Sequence, residues 1–164
     1  MYLLDTPVVL ELRKAKAGRT DAGLTNWASG IARQNLFLSA LSLLELENCA
    51  AQAEKQDKAT GAALHAWISE QVLRAFEGRI LAVDTAVVRR RAQIGLADAR
   101  DALLAATAIE HGLTLVTRQT AAYKGARVKL FNPWGYTPED EEDADWRQAG
   151  RAGPLWLKNL FVRA

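Results

Sequence analysis

The stretch DARDALLAATAIEHGLTLVTRQT, residues 98–120, decides the fold. From Asp98 to His111 it is an alanine-rich helical pattern able to lie close against a sheet, and Gly112 stops it. Leu113 to Thr117 then reads as a buried strand. A helix feeding through one glycine into an apolar strand is the second half of a crossover between parallel strands. The same grammar recurs outward from this stretch. Upstream, Tyr2 to Leu4 is a short buried strand running directly into Asp5, and Thr6 is expected to cap a helix that accepts Pro7 in its first turn and covers Val8 to about Lys14. A second helix is expected from Asp21 to about Arg33, then a strand from Leu36 to Leu38 closed by Ser39. Leu41 to about Lys55 and Ala59 to Phe76 read as a helical hairpin, Arg79 to Val83 as a strand, and Thr85 to about Ile94 as a helix. Downstream, Val128 to Phe131 is a last strand before Asn132-Pro133-Trp134. Strands separated by helices predict an α/β fold with a mainly parallel sheet, and ligands beyond the C-terminal ends of its strands.

With 164 residues and 49% hydrophobic content, the chain can bury one substantial core without disulfides. Its single cysteine, Cys49, has no partner to bridge to, which fits a reducing compartment or simply a small buried residue. No stretch reaches the roughly 20 apolar residues of a membrane span, and MYLLD lacks the basic start of a secretion signal. These features predict a cytoplasmic protein with no membrane partner. A formal net charge of +2 is too small to identify a nucleic-acid partner by itself.

The sheet pattern organises three acids. Asp5 follows the first strand, Glu45 lies about two turns into the helix after the Leu36 strand, and Asp101 opens the helix before the Leu113 strand. Carboxylates gathered from distant parts of the chain repel one another unless a cation sits between them. Oxygen ligands favour Mg²⁺ or Mn²⁺, and no cysteine and histidine cluster has zinc-ligand spacing. Such a site suits phosphodiester hydrolysis, provided the carboxyl groups of Asp5 and Asp101 come within roughly 10 Å of each other. Blander readings stand beside these. Asp5 terminates a strand, Glu45 turns to solvent beside Glu47, and Asp101 completes a capping arrangement begun by Asp98. An aspartyl-phosphate mechanism fits poorly, because it needs a second acid where Pro7 stands.

The segments YLLDTPVV, FLSALSLLELENC, DARDALLAATAIEHGLTLVTRQT and VKLFNPW, spanning residues 2 to 134 in order, resemble the PIN-domain ribonucleases and, within them, VapC-type toxins of type II toxin–antitoxin systems. The resemblance implies a PIN-like α/β/α sandwich, a homodimer, Mg²⁺ or Mn²⁺ dependence, RNA cleavage and neutralisation by a cognate antitoxin. It makes Asp5, Glu45 and Asp101 the catalytic, metal-holding acids. By position, Thr6, Asp98, Thr117, Arg118 and Gln119 are candidates for support: Thr6 as a cap or a ligand to the site, Arg118 as a phosphate contact or a partner to an acid, and Asp98 either as a further charge beside Asp101 or as the helix cap alone. Two positions depart from the family pattern: Pro7 replaces a frequent asparagine, and Gln119 stands where relatives commonly carry a fourth acid. An amide supplies no negative charge, so a weaker second metal site, a one-metal mechanism or a catalytically weakened binding module all remain compatible.

Other features attract structural readings. His65 lies on a polar helix face and His111 at a helix C-terminus, where positive charge is favourable. Basic side chains gather at Arg13, Lys14, Lys16 and Arg19 and again at Arg89, Arg90 and Arg91, mostly as solvated faces; Arg13 and Lys14 are candidates for RNA backbone contact. The nuclease domain is expected over residues 1–134. Beyond it, residues 135–164 form an extension with an acidic run from Glu139 to Asp145 and an amphipathic, aromatic segment through Trp156 and Phe161.

Overall fold

The computed structural model describes residues 1–15 and 18–137. Lys16, the acidic run and the aromatic segment lie outside them. Five parallel strands, β1 (Tyr2–Leu4), β2 (Leu36–Ser39), β3 (Ile80–Leu81), β4 (Thr114–Val116) and β5 (Leu130–Phe131), form one sheet in the order β3-β2-β1-β4-β5. Strand β1 is central, with Tyr2 in register with Leu36 on one side and Thr114 on the other. The chain steps outward from β1 to β2 and β3, then returns to lay β4 against the other flank of β1. That reversal opens a crevice beyond the C-terminal ends of β1 and β4, where an open α/β sheet binds its ligands.

Side chains alternate between the two sheet faces along each strand. Leu4, Leu36, Leu38 and Val116 pack with α1 (Thr6–Lys14), α2 (Ala22–Gly30), α3 (Ala40–Gln56) and α4 (Lys58–Trp67). Helix α4 runs on through a π-helical turn, Ile68–Val72, into the short α5 (Leu73–Ala75). Leu3 and Leu115 point the other way, towards α6 (Thr85–Arg91) and α7 (Ala99–Glu110). The result is the expected α/β/α sandwich. Ala102, Ala105, Ala106 and Ala108 of α7 are fully buried, so that face brings its backbone close to neighbouring elements.

Three expectations need correction. The cap of α1 is Asp5, not Thr6: the amide of Asp5 donates to the Val116 carbonyl at 3.0 Å as an extension of the sheet, and its carboxylate accepts from the Thr6 amide at 2.8 Å. The last strand bond thus holds Asp5 extended, and Thr6 becomes the first helical residue. Helix α2 ends at Gly30, because Ile31 turns to an extended conformation and packs against the core, while Arg33 is drawn to the carbonyl oxygens of Arg74 and Ala75. Cys49 is exposed. Helix α3 buries Ser42, Leu46 and Ala50, and Cys49 falls beside that row rather than in it. The packed chain continues past Trp134: Gly135 donates to Asp21 at 3.2 Å and Tyr136 packs on the Phe131 ring.

Candidate active site

The sheet reversal delivers Asp5 and Thr117 side by side, each one residue beyond its strand. Asp5 is 3% exposed, and its Oδ2 accepts from the Thr117 hydroxyl at 2.8 Å. Thr117 in turn accepts from the Gln119 amide at 3.1 Å, so both of its hydrogen-bonding roles are filled. Glu45 approaches from α3, whose start is fixed by the Ser39 cap, and its Oε2 accepts from the Thr6 hydroxyl. Asp101 approaches from the first turn of α7, where its amide donates to the Asp98 carboxylate at 2.8 Å. The three acids converge.

Their meeting point is the guanidinium of Arg100. Nη2 pairs with Asp5 Oδ1 and lies 2.9 Å from Glu45 Oε2; Nε reaches Glu45 Oε1 at 2.7 Å; Nη1 reaches Asp101 Oδ1 at 2.8 Å and the Tyr123 hydroxyl at 3.1 Å. The Tyr123 hydroxyl also donates to Asp101 at 3.2 Å. All five donors of the guanidinium are therefore engaged. Burial weakens the Arg100 charge, but bonds to Glu45, Asp5 and Asp101 more than reverse this and hold its pKa far above the ordinary value. Burial likewise opposes the charge of Glu45; bonds from Arg100 and Thr6 outweigh it, against a smaller opposing effect of Asp98, and keep this carboxyl below the usual glutamate range. Burial, and then the charge of Asp5, push the Tyr123 phenol upward, so it remains a neutral donor.

With the side chains in this arrangement, no group of three or more acids, histidines or cysteines among the described residues forms an open set of metal ligands. The donor set nevertheless suits a hard cation. Three carboxylates already share one positive charge, and neutral hydroxyls orient two of them, which is the chemistry that Mg²⁺ and Mn²⁺ require. The arrangement shares a positive charge among oxygens at a sheet edge.

A family model of the PIN domain matches residues 2–127. The chain belongs to the PIN-domain family. Toxin FitB of Neisseria gonorrhoeae is 35% identical over 143 residues, covering 82% of this chain and 99% of that protein. VapC ribonuclease Y4jK of Sinorhizobium fredii is 31% identical, covering 82% of this PIN-domain chain and 98% of its own length. The crystal structure of FitAcB from N. gonorrhoeae matches with a TM-score of 0.74 at 32% identity, over 82% of this chain and 99% of that one.

Within this PIN domain the remaining candidates take distinct places. Asp98 is exposed and caps α7. Gln119 is exposed; its backbone supports Thr117, and no hydrogen bond joins its side chain to the acids. Arg118 lies over the Trp134 ring, 5.6 Å from the centroid. Arg13 and Lys14 lie at the far end of α1 from Asp5: Arg13 sits over Trp67 at 5.4 Å, and Lys14 pairs with Glu11 at 3.0 Å. Neither meets the acids. Sequence reasoning missed Arg100 and Tyr123. Arg100 carried a signal, since a cation in the first turn of a helix opposes the macrodipole and needs an acidic partner. Tyr123 carried none.

Proposed function

We propose that this chain is the toxin of a toxin–antitoxin pair, an endoribonuclease that hydrolyses RNA phosphodiesters with Mg²⁺ or Mn²⁺ held by Asp5, Glu45 and Asp101. The observation that carries the reading is the convergence of these three carboxylates, from separate elements, on a single positive charge at the sheet's crevice. The names of the relatives, a toxin and a VapC ribonuclease, support the same class. When bound, the cation lowers the pKa of an attacking water and stabilises charge on the leaving oxygen. The protein's part is positional. Thr117 and the Thr6 amide fix Asp5, the Thr6 hydroxyl fixes Glu45, and the Asp98 cap fixes the turn bearing Asp101. Exposed Arg118 is suited to the RNA backbone beside the crevice, and Lys14 to a more distant phosphate.

The reading assigns the protein to the cytoplasm, as a homodimer held inactive by a cognate antitoxin. Among the described residues no helix is long and apolar enough to cross a membrane. The test is cleavage of single-stranded RNA by purified protein, with Mn²⁺, with Mg²⁺ and with chelator. Cleavage is expected only with metal and is expected to fall at least about 100-fold in Asp101→Asn, the scale typical of lost electrostatic catalysis. Cleavage that survives chelation, or equal rates in the variant, contradicts the reading. A folded protein that binds RNA and metal without cleaving is instead the weakened binding module that Gln119 allows.

A further inference from the structure

Arg100 is the most heavily engaged side chain at the site and has no part in the metal chemistry just described. Its five hydrogen bonds take Asp5 Oδ1, both oxygens of Glu45, Asp101 Oδ1 and the Tyr123 hydroxyl. Asp5 Oδ2 is already taken by Thr117. Four of the six carboxylate oxygens of the three acids therefore hold the guanidinium. A small divalent cation draws its oxygens to about 2.0–2.1 Å in near-octahedral geometry. A guanidinium bonded to those same oxygens obstructs that approach by size and by like charge.

Arg100 also has a way out. Its side chain is 27% exposed, and it occupies the first turn of α7 next to the exposed residues Asp98 and Ala99. At a helix N-terminus, moreover, the macrodipole repels it, so its three acidic partners and the Tyr123 hydroxyl hold it inward against that field.

We propose that Arg100 is an exchangeable counter-ion: it neutralises Asp5, Glu45 and Asp101 in the metal-free protein, and the divalent cation must displace it to bind. The inference rests on the metal reading above and deepens it. Displacement turns a side chain with five free donors out at the mouth of the crevice, where its chemistry suits a phosphate oxygen of the RNA backbone. Metal loading and exposure of a phosphate-binding arginine become one event. By linkage, RNA phosphate and metal then favour each other's binding.

The test is titration calorimetry of Mg²⁺ and Mn²⁺ into wild type and Arg100→Gln, with circular dichroism melts to confirm that both are folded. The variant is expected to bind metal at least roughly tenfold more tightly, because the cation no longer breaks charge-assisted hydrogen bonds of that order of strength. A residue that merely supports the fold would loosen binding on removal. Equal or weaker binding by the folded variant overturns the proposal. The second measurement uses wild type alone: the Arg100 Nε–H resonance, assigned by through-bond correlation to the Arg100 side chain and backbone, is expected to lose protection from solvent exchange as Mg²⁺ saturates the site. Persistence of that protection at saturation overturns the proposal even if the variant fails to fold. Absence of metal binding by both proteins sinks the underlying metal reading instead, and the two failures are thereby distinguished.

Discussion

Charge at the site is governed by a few contacts that favour the ionised forms of both Glu45 and Arg100. Glu45 is held below its ordinary pKa of 4.5 chiefly because Arg100 and Thr6 offset the effect of burial. A carboxyl depressed in the folded state adds stability that is complete above the unfolded pKa and disappears as pH falls through the folded one. Arg100 is raised instead, so its contribution is fully present at every pH below its unfolded value and does not titrate in the working range. The urea midpoint of wild type is therefore expected to exceed that of metal-free Glu45→Gln at pH 7, with the gap closing as the pH drops below about 4.5. A gap that widens on acidification contradicts this sign. Asp5, Glu45 and Asp101 were legible because each stands at a fixed place relative to a strand or helix start. Arg100 was harder to read: its partners are 55 and 95 residues away as well as next door, and no periodicity encodes such a meeting.

The helices owe their positions to close approaches and to caps. Helices α3 and α4 meet where Gly61 faces Glu54: a Cβ at Gly61 would lie 2.3 Å from the Glu54 Cβ and 2.4 Å from its Cα. Those atoms are anchored to backbone and cannot step aside. Gly61→Ala is thus expected to lose about 1–3 kcal/mol of stability through overpacking, although alanine is the better helix former. A denaturant titration that finds the variant unchanged or stabilised contradicts this packing. Element types were largely readable from periodicity, including the hairpin and the stop at Gly112. Boundaries were not. Thr6 lost the cap to Asp5 because a sheet hydrogen bond from β4 extends β1 by one residue, and Gly30 ended α2 because Ile31 was needed in the core. Both decisions are tertiary, and local propensity does not contain them.

At the scale of the whole molecule, one topological fact makes the site. Laying β4 beside β1, after β2 and β3 have gone the other way, brings residue 5 against residue 117 and leaves α3 and α7 to supply Glu45 and Asp101 from either side. Alternation of helices and strands predicted the parallel sheet, and the rule for open α/β sheets pointed to the edge at which the three acids converge. Strand order was not written in the pattern, since it depends on which crossover packs on which face. The arrangement that results gathers negative oxygens around one positive charge, a place the proposed function gives to a divalent cation. A crystal grown or soaked with Mn²⁺ tests this most directly through anomalous diffraction. A peak is expected within about 2.0–2.2 Å of carboxylate oxygens of Asp5 and Asp101, on the Glu45 side of the crevice, with the Arg100 side chain moved away. Density for Mn²⁺ only elsewhere on the protein, with the Arg100 pairs intact at saturating metal, would contradict it.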